Sequence, residues 1–485
     1  MGKELFGNFQ QVKERVTFPY EFNSELLRIN GFEKEFVQKD KRLFISGNNT
    51  FWKTFDFASF LTMIDSDVAK ALHTCKGGFS GIVYDESEQQ ILVFSDSFGL
   101  FPIYFVHDPY KAFFSSSLRR ILDEGIIEKE IDATVLLDYF RFGSFLPGTT
   151  LFRGVHQLKP GNYLRISEDH FSENTYFSWN KRFISNFSSV EQVFTEIDNL
   201  KNGLEEIEYT PIVPRFKEFR EFTDTIDVPF TPSVVTRISQ PGWSEVFAAK
   251  EIFEGLPELN RKKWPMSFSP ALRTMIYRLG LWRWKGLEGQ WKKEKLQQEY
   301  WDIEFLYQFE YQIIKDVYLK KLFNWEEWPK NGVFTFLHDQ LGYGKDGYAY
   351  PVFGRLSLAE IWISLLSIQV PFLRYLFQKE DGTIDYPNLD KELYMYVMSV
   401  PDGLKEPEYQ GNLASVYGKD TLPEKTTVLM DFISEEDWTA FTSGIQHLPY
   451  CNHKELFALV QSNSEKYQHI LILGIWLDQV MNQGN

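Results

Sequence analysis

The sequence predicts an α+β N-terminal part, with antiparallel β-sheets sandwiched with helices, followed by a mainly α-helical C-terminal part. Three observations carry this. Between Phe79 and Ser115, apolar runs of strand length alternate with polar turns. Helix signals begin at Leu118. Beyond Ser188, apolar residues recur at three- and four-residue spacing.

Taken in order, residues 1–76 should form the first half of the N-terminal sheet system. Phe79–Tyr84 and Ile91–Phe94 flank a turn at Asp85–Gln90, and Ile103–Val106 and Ala112–Ser115 flank one at His107–Lys111. Both pairs read as antiparallel hairpins. Helices are expected over Leu118–Asp123 and over Ala133–Phe140, the second capped by Asp132. Leu164–Phe187 lacks periodicity and reads as a strand end plus a linker. A boundary near Phe183–Ser188 divides the chain into domains 1–185 and 186–485. Ser188 and Glu191 form a capping box ahead of Val190, Val193, Phe194, Ile197, Leu200 and Leu204. Gln297–Leu322 reads as one long helix with Trp301, Phe305, Leu306, Phe309, Ile313 and Val317 on a shared face. Ile470, Leu473, Trp476 and Val480 mark a closing helix.

A chain of 485 residues can hold two or three domains with real cores. A net charge of −16 argues against coating nucleic acid with the whole surface. The two cysteines, Cys75 and Cys451, give neither a disulfide framework nor a metal cluster, so a reducing, cytoplasmic setting is expected. The opening MGKELFGNFQ lacks an apolar signal core, and no uncharged apolar run is long enough to span a membrane.

The stretch from Gly77 to Tyr163 resembles the end of the glutaminase domain of asparagine synthetases. Gly78–Asp85 is similar to a strand of that family. Asp96, Phe98, Gly99, Pro102 and Tyr104 fall at the spacing of its following turn, Asp96 and Gly99 being the turn's site residues. Phe114, Ser116, Ile121 and Leu122 continue the likeness, as do Leu151, Phe152, Gly154 and Leu158–Gly161. The resemblance implies a class II amidotransferase domain of the Ntn type, then an asparagine synthase domain with an α/β ATP-pyrophosphatase core.

In that family a cysteine at position 2 attacks the glutamine amide, with its own α-amino group as base. Gly2 stands there, and Cys75 reads as structural. The family's Asn-Gly-Glu segment is not seen. Its nearest counterpart, Ser46–Asn49, is a plain turn or a substrate loop. The family's glycine loop for pyrophosphate is also missing. No glycine occurs between Gly203 and Gly242, and Pro211, Pro214, Pro229 and Pro232 remove backbone donors. Ser239–Phe247 aligns with the family's acidic metal-binding motif, but Pro241 and Ser244 occupy the acidic positions. Only Glu245 keeps a carboxylate, as a catalytic remnant or as a helix cap. The helical part is therefore expected to be a remnant with a truncated ATP core. Leu366–Leu373 retains a family motif without its Glu and Arg, and Arg374–Leu389 is an insertion. Gly342–Gly347 lacks P-loop spacing and reads as a surface turn.

Residues 261–295 reverse the local charge, with ten Lys or Arg against two acids and four interleaved tryptophans. Arg283, Lys285, Lys292 and Lys293 are candidates for an anion-binding face; the alternative is a solvated amphipathic helix with core tryptophans.

Folding positions are thus kept while catalytic positions are lost. The leading expectation is a non-catalytic relative acting as a scaffold or regulatory partner of an active homologue or a peptide-processing enzyme. No cofactor, metal site or membrane association is expected, nucleic acid is disfavoured, and the partner is a protein. Two alternatives stay open. One is an ATP-dependent amide-forming ligase, related to lasso-peptide cyclases, which would bring in ATP and magnesium. The other is an anion or nucleic-acid module using Arg261–Lys295.

Overall fold

The computed structural model describes residues 6–10 and 34–179 apart from isolated positions, scattered positions within 192–200 and 313–336, and residues 391–399 and 433–482 apart from one position. The boundary near 183–188, the segments 205–245 and 261–295, the turn at 342–347 and the motifs of 366–389 lie outside the described residues.

The N-terminal part opens with strand β1 (Phe6–Gln10), β2 (Lys34–Gln38) and β3 (Lys41–Gly47). Helices α1 (Asn49–Thr54), α2 (Phe57–Ser66) and α3 (Val68–Thr74) follow. Each starts on a side-chain cap, Asn48, Asp56 and Asp67 in turn, which accepts a backbone N–H of the first turn. Next come β4 (Phe79–Asp85), β5 (Gln90–Ser95), β6 (Tyr104–Asp108) and β7 (Lys111–Ser115). Helices α4 (Leu118–Asp123) and α5 (Ala133–Phe142) lead to β8 (Val155–Gln157), β9 (Asn162–Ser167) and β10 (His170–Thr175). Both expected hairpins and both expected helices form. Asp132 caps α5, its Oδ1 accepting from Thr134 N at 2.8 Å and Val135 N at 3.1 Å.

The strands make two antiparallel sheets, β1-β7-β6-β8 and β10-β9-β5-β4-β3-β2. Side-chain alternation decides the layering. Phe105 and Phe114, cross-strand partners, join Ile82, Tyr84, Ile91, Val93, Leu164 and Ile166 in a core between the sheets. Their neighbours Tyr104, Val106 and Phe113 belong to a second core, shared with α4 and α5. On the far side of the six-stranded sheet, Phe79 and Phe94 meet Phe51 of α1 and Phe60 of α2, with ring centroids 5.1 and 5.8 Å apart. The resulting order is helix, sheet, sheet, helix, which is the α+β sandwich that the strand spacing predicts.

Two sequence expectations need correcting. The first part of Leu164–Phe187 is more than a strand end: β9 and β10 form a full hairpin, paired from His170↔Ser167 to Thr175↔Asn162, and 180–187 lie outside the described residues. The polar sequence HFSENT hides this strand, because β10 is a sheet edge that places only Phe171 against the core. Nor does one helix run unbroken from Gln297 to Leu322. Residues 313–314 form a bend, and helix α6 starts afresh at Asp316 and ends at Leu322. On this helix Val317 is 60% exposed while Leu319 and Leu322 are buried.

Helix α7 (Lys391–Ser399) lies beside α3, with Lys391 Nζ donating to His73 O at 2.5 Å and Glu392 pairing with Lys76. Helices α8 (Glu435–Ile445), α9 (His453–Ser462) and α10 (Gln468–Asn482) dock on α5. Phe441 and Ile445 of α8, Leu456 and Val460 of α9, and Ile470 to Leu473 of α10 enter the same core as Leu136, Leu137 and Phe140 of α5. As expected, Ile470, Leu473, Trp476 and Val480 are buried. Polar contacts set the register. Tyr139 OH donates to His469 O at 2.9 Å, and Ile313 N donates to Arg141 O at 2.6 Å. The Arg141 side chain, 1% exposed, donates from Nη1 to Asp138 Oδ1 and from Nε to Asp316 Oδ1, both at 2.8 Å. Removing either partner of the buried Arg141–Asp138 pair costs about 3–5 kcal/mol, whereas Asp316, 38% exposed, is screened by solvent and contributes less.

His469 is fully buried at the start of α10, and burial pushes its pKa down to about 4, against the opposing hydrogen bond to Phe140 O. Nε2 carries the proton that Phe140 O accepts at 3.3 Å, and Nδ1 has no partner. The unfolded ring titrates near 6.5, so the unfolded chain takes up a proton first as pH falls. Stability from this group is complete above about pH 6.5 and is lost between there and about pH 4, a total near 3 kcal/mol. His469→Gln keeps a neutral donor without the titration. Urea denaturation of both proteins from pH 7 to pH 4 should shift their stability difference by about 3 kcal/mol in favour of the variant.

Candidate functional site

Ser46, Gly47 and Asn48 sit where β3 gives way to α1, on the helix-covered face of the six-stranded sheet. They are neither a plain turn nor an open loop. Asn48 is buried, and its Oδ1 accepts from Phe51 N at 3.0 Å and Gly78 N at 3.2 Å, while Asn48 N donates to Gly78 O at 3.0 Å. One side chain therefore caps α1 and ties it to the approach of β4. The Phe51 ring lies directly on Gly47, so a side chain at that position would collide with it. Phe51 in turn stacks on Phe55 and Phe79, with centroids 4.6 and 5.1 Å apart. The surface above Gly47 is aromatic, with Phe51 and Phe79 buried and Phe55 half-buried.

Neither cysteine offers a nucleophile. Cys75 ends α3, and its Sγ contacts Ala71 O at 3.5 Å. Burial pushes its thiol up to about 12, with Lys391 pulling the other way. Cys451 pairs across a bridge with Phe323, and burial pushes its thiol to about 12 as well. Thiolates are the reactive form, so both are inert near neutral pH.

Asp96 and Gly99 come together in a buried turn after β5. Asp96 is fully buried, and its carboxylate accepts four backbone N–H groups. Oδ1 takes Phe98 N at 2.8 Å and Leu100 N at 3.2 Å; Oδ2 takes Phe79 N at 3.4 Å and Phe101 N at 3.3 Å. Its backbone carbonyl accepts from Gly99 N at 3.2 Å and Gly161 N at 3.0 Å. Gly99 and Gly161 have φ of +73° and +74°, a left-handed conformation that suits glycine, and a side chain at Gly161 would strike the Phe177 carbonyl. The neighbouring Tyr176 OH donates to Ser95 O at 2.8 Å. Burial first, then Asp96 and Cys75, hold that phenol well above its usual pKa, so it stays a neutral donor. The turn is thus a buried, hydrogen-bonded structural knot.

Glu245, Arg283, Lys285, Lys292 and Lys293 lie outside the described residues. Among the described residues, no group of three or more His, Cys, Asp or Glu is arranged for a metal ion, and no helix is long and apolar enough to cross a membrane. Sequence reasoning missed the roles of Asn48 and Phe51. An asparagine three residues ahead of an aromatic run is a helix-start signal that could have found the first.

Asp96→Asn would turn one acceptor into an NH2 group facing N–H donors. The substitution should lower stability by about 3 kcal/mol or more, read as a shift in the denaturant midpoint at unchanged slope.

Comparison with known proteins agrees with this geometry. Residues 33–177 match a family described as a glutamine amidotransferase domain. Asparagine synthetase [glutamine-hydrolyzing] 3 of Bacillus subtilis (strain 168) is 26% identical over 125 residues, which are 26% of this chain and 20% of that protein. The match therefore spans about a fifth of that relative's length. Two solved structures also align. The glutamine phosphoribosylpyrophosphate amidotransferase of B. subtilis, complexed with ADP and GMP, covers 36% of this chain and 41% of its own at 13% identity and a TM-score of 0.19. An allosteric regulatory enzyme of purine biosynthesis covers 37% and 41% at 13% identity and a TM-score of 0.21. Over residues 33–177 the chain is thus similar to glutamine amidotransferase domains, and part of it is similar to an asparagine synthetase.

Proposed function

We propose that this chain is a non-catalytic member of the asparagine synthetase-like group, acting as a scaffold or regulatory partner of an active homologue or a peptide-processing enzyme. The observation that carries this reading is the Phe51 ring seated on Gly47. In the family that this stretch resembles, the corresponding segment holds glutamine and its oxyanion. Here the amide oxygen of Asn48 is spent on the backbone of Phe51 and Gly78, and the space above the strand end is filled by phenyl rings. An amide substrate needs donors left free and a pocket to enter.

The two thiols support the same reading, since each is held far from its reactive form. For the helical part, support comes from the sequence alone. The glycine loop is missing, and Pro241 and Ser244 stand where acids would hold metal. Neither ATP nor magnesium is needed by a partner of this kind.

The full chain should release no glutamate from glutamine and no pyrophosphate from ATP with magnesium above a buffer blank. Turnover of either substrate would contradict the proposal. Its melting temperature should also be the same with and without magnesium-ATP, whereas a ligand at about a hundred times its Kd would add about 2.7 kcal/mol.

A further inference from the structure

We propose that the seam between α5 and the C-terminal helices is a proton-driven joint: protonation of His469 releases α8, α9 and α10 as one body while the core between the two sheets stays folded. The inference goes beyond the non-catalytic reading and does not depend on it.

The helices form one body because α8 and α10 cross in backbone contact. A side chain added at Gly444 would collide with the Gly474 carbonyl, and one at Gly474 with the Phe441 ring. The N-terminal part holds α10 at three separate places instead. At its start, Tyr139 OH donates to His469 O at 2.9 Å, and the His469 ring donates to Phe140 O at 3.3 Å. Midway, the Phe152 and Trp476 rings lie 6.0 Å apart. At its end, Lys129 Nζ donates to Val480 O at 2.6 Å. Among the described residues, the core between the sheets takes no side chain from α8, α9 or α10, so that core can outlast their departure.

The closed seam also carries polar groups without partners. Gln468 is 1% exposed and His469 is fully buried. Neither Oε1 nor Nε2 of Gln468, nor Nδ1 of His469, has a hydrogen-bond partner. Each of these groups gives up its hydration on docking and gains nothing in return, and water reaching an open seam would restore it. Docking is therefore opposed from within, at the end of α10 where His469 sits.

A proton tips the balance because an imidazolium has no counter-ion in the closed seam. Tyr139 is the titratable side chain against the ring, with centres 5.9 Å apart, and burial keeps its phenol neutral. On α5, Arg141 pairs with Asp138, and on α6, Asp316 pairs with Arg141. On α8, Glu435 and Glu436 are exposed and Asp437 accepts from Ser434 Oγ. On α9, Lys454 and Glu455 are exposed and His453 meets Leu448 O. On α10 itself, Asp478 accepts from Asn482. The ring also lies in the first turn of α10, the positive end of the helix dipole. A second N–H on that ring would point at no acceptor, whereas in an open seam it meets water.

The test is hydrogen-exchange mass spectrometry on the full chain at about pH 7 and about pH 4.5, with intrinsic rates divided out. Protection of the α8 and α10 amides should fall about fifty-fold between the two, since burial holds the ring near pKa 4 against 6.5 when open. Protection of β4, β5 and β9 should stay within about threefold. Across the interval, the fall should follow the uptake of about one proton. His469→Gln should reduce it to less than about fivefold. Lys129→Met removes the hold at the far end of α10, and should lower protection of the helices about tenfold at both pH values while sparing the strands. The proposal is overturned if the strands lose protection together with the helices, in the parent chain or in Lys129→Met. It is equally overturned if the helices keep their protection at the lower pH, if His469→Gln loses as much as the parent chain, or if the fall follows two or more protons. The proton count is read on the parent chain, so it decides the role of His469 even where the glutamine variant does not fold.

Discussion

One buried carboxylate holds the amidotransferase-like part of this chain in register. Asp96 gathers the backbone of Phe79, Phe98, Leu100 and Phe101 on its side chain, and that of Gly99 and Gly161 on its carbonyl. The ends of β4, β5 and β9 therefore meet at one point. Four amide donors take the place of the water that an ionised group would lose on burial. The left-handed turns at Gly99 and Gly161 follow from this, because the chain must double back twice within reach of one residue. Tyr176 and Trp179 close the knot from the far side, donating to Ser95 O and Ser97 O, each at 2.8 Å.

On the proposed non-catalytic reading, the framework around that knot is kept without the site. The framework needs apolar residues at alternating positions, and these are present on both faces of both sheets. A site needs free donors, a nucleophile and an opening. At Ser46–Asn48 the cap is spent on α1 and the opening is filled by Phe51. The two demands are physically separate, so one can be met without the other. The C-terminal helices are not a loose appendage either. They share the α5 core, and Arg141 sits between Asp138 and Asp316, so the two ends of the chain stabilise each other.

What was legible in the sequence, and what was not, follows the range of the interactions. Helix α5 was legible because Asp132 is its cap and its apolar residues recur locally. The hairpins from Phe79 to Ser115 were legible because both strands of each lie close together in sequence. Strand β10 was hidden because an edge strand needs few apolar residues. Helices α1 to α3 were not resolved, since the crowded phenylalanines of 51–60 fit no single period. The bend before α6 lies beside the contact of Arg141 with Asp316, and no local spacing encodes that pairing. At Ser46–Asn49 the departure from the family's Asn-Gly-Glu segment was visible in the sequence, but the Phe51 ring over Gly47 was not.

The central proposal is that Phe51 closes the strand end at Gly47, where the family resemblance would lead one to look for a glutamine site. Isothermal titration of the full chain with glutamine, carried to about 10 mM, tests it most directly. Heats of dilution alone are predicted, with no change when Phe51 is left intact and the pH is varied. A saturable binding isotherm would contradict the account.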